Sequence, residues 1–334
     1  RVAFLIPASF EYAAVQWGIW RAGGIAVPLS LFSADPELEH VITDAQVDRI
    51  IVPEDSLGKL RPLCDRLSTP LLSVEGISSP QSVALPQLEA QRRAMILYTS
   101  GTTSKPKGVV STHANIQAQI TALVEAWGWR SGDWIPLFLP LHHIHGIVNV
   151  LGCALWSGAR ADCFESFDAG AVLERVADKE CSLFMGVPTI YVKLIRILEA
   201  ADERDRARFT DGFAHMRLMV SGSAALPASV HEQWTQLTGQ KLLERYGMTE
   251  IGMAISNPLQ GERRPGAVGV ALPGVTVRLM SEAGELIEAE DEPGEIQVRG
   301  PAVFSEYWRK PEVTRESFVE GWFRTGDMAV LEDG

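Results

Sequence analysis

From Val2 to about Ser221 the chain alternates short, continuous apolar runs with longer amphipathic stretches. "VAFLI", "IAVPL", "RIIV", "MILYT", "WIPLFL", "SLFMGV" and "LMVSG" predict strands, and the segments 11–21, 36–45, 112–127 and 188–200 predict helices between them. Runs that are apolar at every position, not at alternate ones, belong to strands covered on both faces. The pattern therefore predicts parallel sheets flanked by helices, an α/β fold. From about Arg263 the texture changes. "PGAVGVALPGVTVRLM", "GEIQVRG" and "WFRTGDMAVLEDG" read as short strands separated by Gly and Pro turns, with no helix between them, so a β-rich subdomain follows. The division expected is 1–262 for the α/β part and 263–334 for the β-rich part of one domain. No internal repeat is visible.

Charge narrows the partners. With 42 acidic against 30 basic residues the formal charge is −12, which argues against a nucleic-acid binder, because phosphate-backbone affinity needs clustered Lys and Arg. An anionic ligand would have to be held locally. Cys64, Cys153, Cys163 and Cys181 form no Cys-x-x-Cys pair and have no His at zinc-finger spacing, which suits a reducing compartment. The longest apolar stretch, 135–156, is interrupted by Pro136, Pro140, His142, His143 and His145, and so reads as core and site, not as a membrane span.

The candidate for local anion binding is "ILYTSGTTSKPKGVV", 96–110. A strand, then a Gly/Ser/Thr loop with Lys, then a helix is a recipe for phosphate: small residues let backbone N–H groups approach, and a helix N-terminus favours negative charge. The Walker A order does not fit, since Lys107 precedes Gly108 and Pro106 sits inside the loop. On loop chemistry alone, a phosphate loop of another kind and a plain surface loop both stand.

"YTSGTTSKPKG" (98–108), "LPLHHIHG" (139–146), "MGVPTIY" (185–191), "SGSAALP" (221–227), "ERYGMTE" (244–250) and "EGWFRTGD" (320–327) follow one another over nearly the whole chain. In order and rough spacing they resemble the adenylate-forming superfamily of acyl-CoA synthetases, adenylation domains and luciferases. Within it the resemblance is strongest to malonyl-CoA synthetases, including the mitochondrial form, because Arg245 precedes the Tyr-Gly-x-Thr-Glu motif where most relatives carry a small or neutral residue. One departure is Ser104, where the family usually has Gly. If that position needs a left-handed backbone, Ser would strain the turn by about 1–2 kcal/mol.

The resemblance implies a large N-terminal adenylation (AMP-binding) domain whose small C-terminal domain, carrying a catalytic lysine, lies beyond this chain, so the 334 residues are expected to turn over poorly by themselves. It implies ATP, Mg²⁺ and coenzyme A as cofactors or co-substrates and a small carboxylic acid as substrate. Thr99, Ser100, Gly101, Thr102, Thr103 and Lys107 would cradle the β- and γ-phosphates. Thr249 would touch the α-phosphate and Glu250 would hold Mg²⁺. Tyr246, with Gly247 and Met248 beside it, would stack on adenine against Ser223, Ala224 and Ala225, and Asp327 would accept from the ribose hydroxyls. His143 would lie beside the reacting carboxylate and His145 would help hold a second one. Gly186, Val187, Pro188 and Ser221 would line the acyl pocket.

Arg245 carries the sharpest expectation: its bidentate fork would face the distal carboxylate of malonate or methylmalonate and would reject a fatty tail. In the bland alternative, Arg245 pairs with Glu244 or another carboxylate. Three readings of function thus stay open, namely a dicarboxylate-CoA ligase, a monocarboxylate-CoA ligase, and a carrier-dependent adenylation module or non-catalytic nucleotide binder. The compartment, cytoplasm or mitochondrial matrix, would be decided by an N-terminal segment outside "RVAFLIP".

Overall fold

The computed structural model describes residues 1–77, 84–99 and 105–333. The expected strands form, and they collect into three main sheets. In the first, Arg93–Thr99, Ala26–Pro28, Val2–Phe4, Arg49–Val52 and Leu71–Ser73 run parallel in that spatial order. In the second, Leu183–Gly186, Leu218–Ser221 and Leu243–Met248 run parallel, and Gly252–Ser256 and Val270–Ala271 extend the sheet antiparallel. The third is antiparallel throughout, ordered Leu286–Ile287, Thr276–Met280, Gly294–Arg299, Trp322–Ala329, Phe318–Val319. "WIPLFL" contributes only Trp134–Leu137, which pairs with Arg160–Cys163 in a separate two-stranded ribbon.

Helix ends agree closely with the local chemistry. Helix His113–Ala126 starts where Thr112 accepts from the Asn115 backbone N–H while the Asn115 side chain accepts from Thr112 N–H, a reciprocal cap. Helix Pro188–Ala200 opens on a proline, whose missing N–H costs nothing at that position. Among the described residues no helix is long and apolar enough to cross a membrane.

Two local expectations are corrected. The Gly/Ser/Thr loop does not enter a helix. Lys107–Thr112 is a strand, paired antiparallel with Arg93–Thr99, because Val109 and Val110 are β-branched and bury against that partner; the helix begins only at the Thr112 cap. The stretch after Arg263 is not free of helix, since Pro311–Glu316 forms one turn and a half between Glu306–Tyr307 and Phe318–Val319. Strands from that stretch also leave it. Val270–Ala271 joins the second sheet and Glu306–Tyr307 joins the edge of the first, so pairing crosses the 262/263 division.

The main core lies around the second sheet. Phe184, Tyr191, Phe213 and Trp234 meet edge-on at 4.8–5.9 Å between centroids, and the buried Tyr191 hydroxyl is satisfied by donating to Val220 O at 2.7 Å. This packing fixes the strand ends at Gly186 and Ser221, from which the loops of the candidate site project.

Candidate functional site

Two adjoining cavities, of about 1280 and 1110 Å³, open beside the carboxyl ends of the second sheet. Ser223, Arg245, Gly247 and Asp327 line both, so the two spaces meet at these residues. Thr99, Lys107, His143, His145, Val187, Met248, Thr249 and Glu250 line the first. Ser221, Ala224, Ala225 and Tyr246 line the second. Gly186 and Pro188 are not brought to either wall; they are buried behind it, and Ile190 with Val187 takes the expected place. The strand-to-helix turn aims Gly186 and Pro188 into the core. Ser100, Gly101, Thr102, Thr103 and Ser104 lie outside the described residues.

The imidazole cluster owes its placement to an unusual turn. His145–Gly152 is a π-helix, a widened coil that recurs at functional sites. Gly146 permits it, because a Cβ there would stand 2.6 Å from Pro140 O. The His142 and His143 rings lie 4.1 Å apart between centroids, tilted by 49°. Burial, then the neighbouring His143, brings His142 down to about 4. His143 lies open to the cavity, yet the surrounding protein still lowers its pKa by desolvation. The buried His145 is pushed well below the ordinary value, chiefly by desolvation and then by the Arg245 charge. All three are therefore neutral at pH 7. Among the described residues no cluster of three or more His, Cys, Asp or Glu could hold a metal ion.

Arg245 is 4% exposed and lies at the junction of the two cavities. It does not pair with Glu244, which instead accepts from Gly266 N–H at 2.9 Å, and no ion pair of Arg245 occurs among the described residues. Its Nη2 donates to Ser223 Oγ at 3.1 Å. Ser223 Oγ also lies 3.2 Å from His145 Nδ1. The hydroxyl accepts from the guanidinium, and the direction of its bond to His145 Nδ1 follows the tautomer of the neutral imidazole. Among the described residues the buried His145 Nε2 has no hydrogen-bond partner, nor does Arg245 Nε. Burial lowers the guanidinium to about 10, so it stays charged at pH 7. A buried guanidinium with an unused N–H is a receptor for an anion. Ser223 holds φ +70, a left-handed conformation costing a non-glycine residue about 1–2 kcal/mol, which the two bonds of its hydroxyl help to offset.

On the wall of the first cavity Glu250 is 4% exposed, and burial raises its pKa. Its Oε1 accepts from Tyr307 OH at 2.9 Å. Lys107 Nζ stands 4.5 Å from the Tyr307 ring centroid. A single buried carboxylate without a full set of protein ligands fits Mg²⁺, which takes one or two carboxylates together with phosphate oxygens and keeps several waters. Tyr246 OH donates to Asp327 Oδ2 at 2.6 Å, occupying one carboxylate oxygen of the residue expected to meet the ribose.

Sequence reasoning missed Tyr307 and Gly222. Gly222 sat inside a quoted motif, but its importance is visible only in three dimensions: a Cβ there would be 2.4 Å from Arg245 Nε and 2.5 Å from Cζ. Tyr307 in "SEYWRK" carries no local signal, because its partners are 57 and 200 positions away and meet it through sheet pairing.

A family model described as "AMP-binding enzyme" matches residues 1–308. The chain is 43% identical over 368 residues to the mitochondrial malonate–CoA ligase ACSF3 of Homo sapiens, covering 100% of this chain and 64% of that protein. A malonyl-CoA ligase solved as a ternary product complex with methylmalonyl-CoA and AMP is similar at TM-score 0.89 and 36% identity, with 100% of this chain and 70% of that one covered. ATP-bound MatB from Rhodopseudomonas palustris is similar at TM-score 0.89 and 33% identity, with 100% and 66% covered. The chain thus spans a little under two thirds of the length of its mitochondrial malonate–CoA ligase relatives.

Proposed function

This chain belongs to the AMP-binding enzyme family, and on that premise we propose that it activates malonate, or methylmalonate, with ATP to an acyl-adenylate and passes the acyl group to coenzyme A. A carboxylate oxygen attacks the α-phosphorus and pyrophosphate leaves. The thiol sulfur of coenzyme A then attacks the acyl carbon, AMP leaves with the bonding electron pair, and the thiol proton is released. The first step brings two anions together, so the work of the site is charge neutralisation and alignment.

In this reading Lys107 and Thr99, with the loop 100–104, hold the β- and γ-phosphates, and Thr249 meets the α-phosphate. Glu250 holds Mg²⁺, which would offset charge on the departing pyrophosphate. Tyr246, Gly247 and Met248 with Ser223, Ala224 and Ala225 receive adenine, and Asp327 receives the ribose through its oxygen not engaged by Tyr246. His143, neutral and open to the cavity, stands by the reacting carboxylate. Val187 and Ser221 border the acyl end, with Gly186 and Pro188 supporting it from behind.

The observation that carries substrate choice is Arg245: a buried guanidinium with no carboxylate of its own among the described residues. A monocarboxylic acid would leave that charge buried and unpaired, whereas the second carboxylate of malonate, aided by His145, supplies the missing partner. Pyrophosphate release with malonate, methylmalonate, acetate and octanoate tests this. Arg245→Ala should cut kcat/KM for malonate by at least about a hundredfold, and Arg245→Lys should not restore it, because a point charge cannot replace the fork. Equal turnover of octanoate and malonate, unchanged in Arg245→Ala, would remove the dicarboxylate from the reading.

A further inference from the structure

Lys107, Tyr307 and Glu250 form a layered contact on the wall of the first cavity. The ammonium sits on the face of the phenol ring, 4.5 Å from its centroid, and the phenol hydroxyl donates to Glu250 Oε1 at 2.9 Å. The lysine and the glutamate do not form an ion pair with each other. That separation needs a cause, since opposite charges sharing a cavity draw together when nothing intervenes.

The backbone supplies it. Tyr307 pairs with Val109, two residues beyond Lys107, in the antiparallel ladder between Glu306–Tyr307 and Lys107–Thr112. Trp308 N–H donates to Gly108 O at 2.7 Å, and Tyr307 N–H donates to Thr314 Oγ1 at 3.0 Å. Three residues earlier, Phe304 N–H donates to Glu250 O at 2.7 Å. One short segment, 304–308, is thereby fastened both to the strand that carries the lysine and to the backbone of the glutamate. The Tyr307 ring, 4% exposed and set edge-on to Phe304, has little room to turn.

We propose that Tyr307 is a positioning residue that keeps Lys107 and Glu250 apart and separately aimed, so that the cation stays available to the phosphates and the carboxylate to the metal ion. The inference rests on the reading of Glu250 as the metal-facing carboxylate. The ring satisfies the ammonium without neutralising it, and the hydroxyl orients one carboxylate oxygen while leaving the other free. A Lys–Glu ion pair in its place would neutralise both groups before ATP and Mg²⁺ arrived.

The test is Mn²⁺ binding, followed by electron paramagnetic resonance, with a non-hydrolysable ATP analogue present, and analogue binding without metal, followed by calorimetry. Tyr307→Phe keeps the ring and removes the hydroxyl. It should raise the Mn²⁺ dissociation constant about tenfold, raise the Mg²⁺ concentration needed for half-maximal turnover, and leave metal-free analogue binding unchanged. Tyr307→Leu removes both contacts and should weaken metal-free analogue binding several-fold as well. Glu250→Gln separates the layers of the argument. Weak Mn²⁺ binding in Glu250→Gln with wild-type binding in a folded Tyr307→Phe would overturn the role of Tyr307 while leaving the metal reading intact. Wild-type Mn²⁺ binding in Glu250→Gln would remove the metal reading, and this inference with it.

Discussion

The hydroxyl of Tyr246 and the carboxylate of Asp327 are joined by a 2.6 Å hydrogen bond that spans 81 residues and ties the second sheet to the third. Two residues assigned to the same nucleotide from separate motifs are thus bonded directly to each other. Tyr246→Phe should leave Asp327 unoriented and raise KM for ATP several-fold with kcat largely retained; the bond is exposed, so stability should change by less than about 1 kcal/mol. Steady-state kinetics and denaturant unfolding of the same variant check both parts, and an unchanged KM would show that Asp327 needs no help from Tyr246.

Gly222 sets the plane of Arg245. Adding a single Cβ 2.4 Å from the guanidinium Nε forces the buried side chain to shift away from Ser223, toward the cavities that it lines. Gly222→Ala should lose about 1–3 kcal/mol of stability and raise KM for malonate more than KM for ATP. A variant with wild-type malonate kinetics would mean that the arginine tolerates displacement.

Acid should destabilise the protein through its histidines. His142, His143 and His145 all have folded pKa values below their ordinary value of 6.5, so as pH falls through 6.5 the unfolded chain takes up protons first and stability declines, for His142 until about pH 4. Glu244 and Glu250 act in the opposite sense, since burial raises both and the folded state gains protons earlier on the way down. His142→Gln removes one histidine from the balance. Its unfolding free energy should fall less steeply than that of the wild type between pH 6.5 and pH 4, and parallel curves would contradict the assignment.

The aromatic core should be costly to empty. Trp234 is fully buried and packs against both Tyr191 and Phe213. Trp234→Ala should lose about 3–5 kcal/mol, seen as a lower denaturant midpoint with an unchanged slope.

Much of this was legible in the chain itself because the signals are local. Continuous apolar runs marked the parallel strands, and the amphipathic stretches 188–200 and 112–127 matched the helices Pro188–Ala200 and His113–Ala126 to within one residue at each end. The ordered motifs brought the residues of the site into view one by one. The strand after the Gly/Ser/Thr loop was misread because "KGVVST" is short and its state depends on a partner, Arg93–Thr99, that local pattern cannot supply.

By itself the sequence determined the α/β order of elements, the family, and the kinds of side chain available for an anionic reaction, since each follows from residue type and spacing along one strand or helix. Only the tertiary structure decided that Arg245 turns from the adjacent Glu244 to Ser223, that His145 shares the same hydroxyl, and that Tyr307 stands between Lys107 and Glu250. Those choices depend on burial and on contacts across tens to hundreds of residues. Whether a charge is paired, and therefore whether it is free to meet a substrate, is set by which groups the fold removes from water together.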